Sequence, residues 1–248
     1  MTDRALYVAM TGASAMLRGQ ATVANNLANA DRVGFQATLE ATSAKPIEGP
    51  GYPSRVATEA RTLGIDARMG AIRQTGNPLD IALHQERWLA VQDGNGATAY
   101  TRAGDLTINA NGLLSTANGQ LVLGADGAPL AIPPSQSMDI AADGTISTVP
   151  LGQPPSTIAE AGRLQLVSAK TTDLERGDDG LMRPRAGVTP QPATGASLTS
   201  GTLEDSNVRP ADALVSMIEL ARKFEMQVQL LQRADENARA SASLVSMR

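Results

Sequence analysis

The chain has 248 residues with no cysteine, one histidine and six aromatic side chains, and its 21 basic against 25 acidic residues give a formal charge of −4. That composition excludes zinc–thiolate sites, disulfide frameworks and cysteine chemistry, and it supplies neither the basic clusters nor the ring surfaces that nucleic-acid binding uses. The length supports a buried core in one or two domains, and the expected partners are proteins.

At the N-terminus, Ala5 to Met10 is apolar and Ala13-Ser14-Ala15 has small residues at a cleavage-site spacing. Six apolar residues are too few for a signal peptide, and Asp3 occupies the place of a basic flank. No apolar run approaches the ~20 residues of a membrane span, so no membrane insertion and no cleaved signal are expected. Apolar or small residues recur at Leu6, Met10, Ala13, Leu17, Gln20, Ala24 and Leu27, spaced by four and three, with Gln20 the one polar member. This heptad seam predicts a helix of about 27 residues, ~40 Å long, and the scarcity of charge on it predicts neighbours on several sides.

Residues 36–75 carry Pro46, Pro50, Gly51, Pro53, Gly64 and Gly70 and read as an extended connector. From residue 76, short runs of Val, Ile, Leu and Thr alternate with Asn-Gly and Asp-Gly pairs at 95–96, 111–112, 118–119, 126–127, 143–144 and 179–180. These dipeptides accept the positive φ of tight hairpins, which predicts an antiparallel β-rich domain over 76–183 with strands near 107–109, 113–115, 120–123, 145–147 and 164–167. A second Pro- and Gly-rich connector covers 184–204. The last segment repeats Leu214, Met217, Ala221, Phe224, Val228, Leu231, Asp235, Ala238, Ala242 and Val245, with Pro210 suited to a first helical position and Asp212 to the positive helix start. It predicts a helix over about 210–246, and Met226 and Leu230 fall on its opposite side.

The fold class is therefore α+β: paired, coiled-coil-like terminal helices (1–35 and 205–248) with a mainly antiparallel β-rich middle domain. The seams are expected to pair with each other. Because many of their positions are alanine, the pair is expected to be marginal alone and to order when copies pack together.

Residues 24–35, ANNLANADRVGF, resemble the N-terminal signature of the bacterial flagellar rod and hook axial proteins. The resemblance continues through TGNPLDIAL (75–83), WLAVQ (88–92), AYTRAGDL (99–106) and GTLEDSNV (201–208), and covers essentially the whole chain. RGDDGLMR (176–183), KPIEG (45–49) and RKFEMQ (222–227) are most similar to proximal-rod members, with distal-rod members second. The resemblance implies a rod subunit, part of the hollow drive shaft that crosses the periplasm. Its helices would form the inner layers around the export channel, and it would be exported through the flagellar export apparatus. Its partners would be copies of itself and homologous proximal- and distal-rod proteins, and the surrounding basal-body rings stand open as further contacts. It carries Asn26, Leu27, Ala28, Asn29, Gly34 and Phe35 over as the junction where helix becomes connector. The expected assembly interface is Leu6, Met10, Ala13, Leu17, Ala24 and Leu27 with Leu214, Met217, Ala221, Phe224, Val228 and Leu231. Arg209 departs from the asparagine usual in the family ahead of the final helix.

No cofactor, metal or catalytic site is read from the chain. His84 lacks a nucleophile at a recognisable spacing and reads as a polar turn residue. Glu175, Asp178 and Asp179 fit a calcium loop poorly and read as a solvated hairpin tip. Trp88 reads as core. The competing reading is a secreted β-rich enzyme or carbohydrate-binding module with a coiled-coil handle.

Overall fold

The computed structural model describes residues 2–46, 56–154 and 156–246. Its contacts divide into two units: one of 1–28, 38–63 and 209–248, the other of 29–37 and 64–208.

The first unit is built from helix α1 (Thr2–Ala28), the strands Thr38–Pro46 and Val56–Ile65, which pair with each other, and helix α2 (Pro210–Ser246). Gly12 lies against Gln227 and Gly19 against Leu220, so one register descends as the other climbs and the helices are antiparallel. Gln227 Nε2 also donates to the carbonyl of Ala9 at 3.2 Å. The 37 residues of α2 against 27 in α1 make it longer by about 15 Å. The stretch 36–75 is thus not a plain connector. Its strands are mostly exposed and lack apolar alternation, so the periodicity that betrays a half-buried strand is missing from their sequence.

The second unit is antiparallel throughout. Strand Arg87–Gln92 lies at the centre of its largest sheet, pairing with Thr98–Thr101, Leu121–Val122 and Leu166–Ser168. Leu89 and Val91 enter one apolar cluster with Ile81, Leu114, Ile140, Ile146 and Leu164. Trp88 and Ala90 enter a second with Tyr100, Leu123, Val167 and Met182. Both faces of this strand are covered, which is why its sequence is a continuous apolar run rather than an alternation. The six turn glycines of the Asn-Gly and Asp-Gly pairs all have positive φ, as hairpin turns require.

The unit is wider than 76–183. Thr202–Glu204 pairs with Ile72–Gln74 and Leu198–Ser200 pairs with Ile81–Leu83, so segments read as connectors are strands. The run expected as a strand at 164–167 begins its ladder only at Leu166. Trp88 is 2% exposed, and its indole donates to the Ala169 carbonyl at 3.0 Å. Asp178 and Asp179 lie exposed at the turn between Leu174–Arg176 and Met182–Pro184, where Arg183 bonds both Asp179 and Asp93.

Candidate assembly surface and helix junction

Helix α1 has three faces. Thr11, Thr22 and Asn26 turn to the strand pair: the Thr11 hydroxyl accepts from Thr58 N at 3.3 Å and Thr22 donates to Glu40 at 2.9 Å. Ala9, Gly12 and Gly19 face α2. The heptad seam occupies neither face. At about 100° per residue its axis lies roughly a quarter-turn from the glycine stripe, and Met10 (58%), Leu17 (50%) and Ala24 are exposed while Ala13 and Leu27 are half-buried.

The expected pairing of the two seams is corrected here. Glycines let helix backbones approach closely, so Gly12 and Gly19 lie against α2 while Met10 and Leu17 of the seam stay outside. On α2 the expected stripe holds better. Met217, Ala221, Phe224, Val228 and Leu231 are half-buried together with Leu220 and Gln227, whereas Leu214 is exposed. The outer side of α2 exposes Val215, Ile218, Met226 and Leu230. The side chains of Leu6, Asp235, Ala238, Ala242 and Val245 fall outside the described residues.

The junction residues divide between the two units. In the first, the Asn26 carboxamide acts as a ladder partner for the following strand. Nδ2 donates to the Thr38 carbonyl and Oδ1 accepts from Thr38 N, both at 2.9 Å. A carboxamide carries the same donor–acceptor pair as a peptide group, so it can close the first rung of a strand. Leu27 is half-buried and Ala28 exposed at the helix end.

In the second unit the Asn29 carbonyl accepts from Arg32 N, and Gly34 sits at φ 66 with its N–H on the Glu204 carbonyl at 2.7 Å. A Cβ on Gly34 would lie 2.3 Å from the Arg102 carbonyl group. Phe35 lies under the Arg176 guanidinium, 4.4 Å from its ring centre, and Arg176 also donates to the Gln36 carbonyl at 2.6 Å. Burial, with the nearby charge of Arg32, lowers the Arg176 pKa to about 10.

Arg102 and Glu204, 2% and 1% exposed at their side chains, form the centre of this node. All five guanidinium donors are used. Nε and one η nitrogen go to Glu204, and the rest reach the carbonyls of Leu83 (2.8 Å), His84 (3.0 Å) and Arg87 (2.9 Å). The other Glu204 oxygen accepts from Gly70 N at 3.1 Å. The motifs VGF, TRAG and TLED thus meet at Gly34, Arg102 and Glu204.

Beside them Asn207 ties three segments: Oδ1 accepts from Ala37 N at 2.7 Å, Nδ2 donates to the carbonyls of Asp66 (3.2 Å) and Arg68 (2.8 Å), and its N–H bonds the Phe35 carbonyl. The hydrogen bond from Arg68 holds the Asp66 carboxyl below its usual range, against the opposing effect of burial. Neither the buried pair nor Asn207 was readable from periodicity; their only signal was membership of the segments that resemble the rod and hook family. Asn207→Ala removes three side-chain bonds at roughly 0.5–1.5 kcal/mol each. A loss of about 2 kcal/mol in urea unfolding is expected, and a midpoint unchanged from the parent would refute the role.

At Arg209 the helix start is supported by other means. Its carbonyl accepts from Ala213 N at 3.0 Å, and its guanidinium lies 3.3 Å from the Asp212 carboxylate. His84 is exposed, sharing a 3.3 Å hydrogen bond with the Thr199 hydroxyl. No helix among the described residues is long and apolar enough to cross a membrane.

Three family models match the chain in order: flagella basal body rod protein over residues 6–36, flagellar hook protein FlgE/F/G D1 domain over 82–148, and flagellar basal body rod FlgEFG protein C-terminal over 199–244. The flagellar basal-body rod protein FlgF of Salmonella typhimurium is 43% identical over 253 residues, and that of Escherichia coli 44% over 251, each alignment covering 99% of both chains. The chain belongs to the FlgF family of flagellar basal-body rod proteins. The rod protein FlgG of Bacillus subtilis is more distant, 28% identical over 94% of this chain and 96% of its own. As a member of the FlgF family the chain is a structural subunit of the flagellar rod. Its signature segment 24–35 lies within the first matched region and 201–208 within the last.

Proposed function

We propose that this chain is a non-enzymatic proximal-rod subunit, which packs with copies of itself and with homologous rod proteins into the hollow shaft that transmits torque and encloses the export channel. The reading includes export through the flagellar apparatus, and the basal-body rings as further neighbours. One observation carries it. The most apolar stripe of α1 and the outer stripe of α2 are left in solvent by the fold of a single copy, with Met10, Leu17, Met226 and Leu230 each at least 50% exposed. Contiguous exposed apolar surface of this kind marks a protein interface, and contacts between unlike patches extend into a tube instead of closing.

The proposed interface takes Leu6, Met10, Ala13, Leu17, Ala24 and Leu27 on α1 with Leu214, Met217, Ala221, Phe224, Val228 and Leu231 on α2, and adds the outer stripe of α2 at Val215, Ile218, Met226 and Leu230, which a single copy leaves exposed. Residues 1–35 and 205–248 act as the assembly segments. Burying one large aliphatic side chain is worth roughly 1.5–3 kcal/mol, or about a 10- to 100-fold change in association. Leu17→Asp and Met226→Asp are therefore expected to cut incorporation into basal bodies at least tenfold and to abolish motility. Because both side chains are exposed in the single copy, thermal melting of the β unit should stay within about 2 °C. Normal incorporation of both variants would refute the proposal.

A further inference from the structure

Helix α1 and the strands Thr38–Pro46 and Val56–Ile65 flank an open groove of about 390 Å³, lined by Tyr7, Met10, Ser14 and Arg18 on the helix and by Ala57 and Ala60 on the second strand. At one end Tyr7 and Met10 are each more than half exposed. Arg18, at the other, is the one charged side chain between Ala5 and Ala30. It is exposed and forms no ion pair among the described residues. On the strand side Lys45 and Glu59 form an exposed pair at 3.5 Å. The groove thus has an apolar end and, about three helical turns away, a positive charge without a counter-ion.

The outer side of α2 carries the complementary order. Met226 and Leu230 are each more than half exposed, and Glu219 has one ion pair, with Lys223 at 4.0 Å between two exposed side chains. Arg18 stands eleven residues from Tyr7 and eight from Met10, while Glu219 stands eleven from Leu230 and seven from Met226. At about 100° per residue, Tyr7, Met10 and Arg18 fall within about 80° of one another on α1, and Glu219, Met226 and Leu230 within about 40° on α2. The two patterns therefore superpose when the helices run antiparallel. A parallel setting with the same ion pair would carry Tyr7 past Pro210, where α2 begins. Pairing Arg18 with Glu225 instead would set Arg233 and Glu236 against Met10 and Tyr7.

We propose that α2 of a second copy docks antiparallel in this groove, with its Glu219 on Arg18, its Met226 at Met10 and its Leu230 at Tyr7. This rests on the reading that copies of the chain pack side by side, and names which stripe meets which and in what register. Lys223, one turn from Glu219, then lies on the side of the strands, so Arg18, Glu219, Lys223, Glu59 and Lys45 alternate in sign. Such alternation fixes register more than it adds affinity. Within one copy Leu220 lies at Gly19, so the incoming helix sits at nearly the level of the copy's own α2. Each α1 is flanked by two α2 helices, its own and a neighbour's, through unlike surfaces that leave a free groove and a free ridge and so propagate.

The test reverses the charges in the full chain, produced in flagellated cells in place of the parent. Arg18→Glu and Glu219→Arg each turn attraction into repulsion and are expected to lower incorporation into basal bodies about fivefold or more, while the chain carrying both changes regains at least about half of the parental level. Parental incorporation by either single reversal, or no recovery in the double, overturns the contact and leaves the rod reading standing. Absence of the unaltered chain from basal bodies overturns the rod reading and the contact with it. Should a reversed chain fail to fold, a Met10→Cys chain and a Met226→Cys chain produced together decide, because the protein has no cysteine of its own and every 10–226 disulfide then joins two copies. Gentle oxidation of isolated basal bodies that yields 10–226 links in excess over 10–10 and 226–226 links supports the contact, and any other pattern overturns it.

Discussion

Gly34→Ala is expected to lower the thermal midpoint of the chain by about 4–20 °C. Two costs combine. An L-residue held at φ 66 bears roughly 1–2 kcal/mol, and the new Cβ would stand 2.3 Å from the backbone carbonyl of Arg102, where ordinary contacts begin near 3.4 Å. Relieving that overlap moves backbone rather than a side-chain tip, and overpacking of this kind costs about 1–3 kcal/mol or more. At roughly 2–4 °C per kcal/mol for a chain of this size, the sum gives the stated shift. Gly34→Asn separates the causes, because asparagine tolerates positive φ but still carries the clashing carbon. If the clash dominates, Asn is as damaging as Ala. A Gly34→Asn protein that melts with the parent would remove the steric argument, and the Gly34–Glu204 hydrogen bond at 2.7 Å would then be the surviving reason for the close approach.

The terminal helices were legible because their signal is local and repeated. Leu214 to Leu231 advances by threes and fours, and α2 runs Pro210–Ser246 where the periodicity placed it. What the helices touch was not legible on α1. Hydropathy ranks Met10 and Leu17 above Gly12 and Gly19, yet close approach depends on small size, and the glycines take the contact. Strand Arg87–Gln92 escaped for the opposite reason: with both faces buried it has no alternation to detect. The pair Thr38–Pro46 and Val56–Ile65 escaped because its mostly exposed residues carry no apolar pattern.

At the junction the residue types were legible but their partners were not. Asn26 suited a helix end, and only the fold shows that its amide serves a strand twelve residues on. Arg102 and Glu204 stand 102 residues apart, and no local rule joins them.

That pair carries the second large effect. Arg102→Met is expected to destabilise the chain by about 3–5 kcal/mol, since it leaves the Glu204 carboxylate buried without its counter-ion. It also strips the carbonyls of Leu83, His84 and Arg87 of a donor. Glu204→Leu should cost a similar amount by stranding the guanidinium and the N–H of Gly70. The double variant should lose clearly less than the sum of the two, with a coupling of at least about 2 kcal/mol in urea unfolding, because most of each single loss is the penalty of the charge left behind. Additive losses would mean that the two side chains are held by their other contacts and not by each other.

Arg102→Lys tests what the guanidinium contributes beyond charge. An ammonium keeps the ion pair but has three donors against five, so it cannot serve Glu204 and three carbonyls together. It is expected to fall between Arg102→Met and the parent. A Lys variant as stable as the parent would reduce the node to a simple ion pair. An intermediate one would place the specificity in the fan of carbonyls, through which the TRAG and TLED motifs hold the strand ends around residues 83–87 in one arrangement.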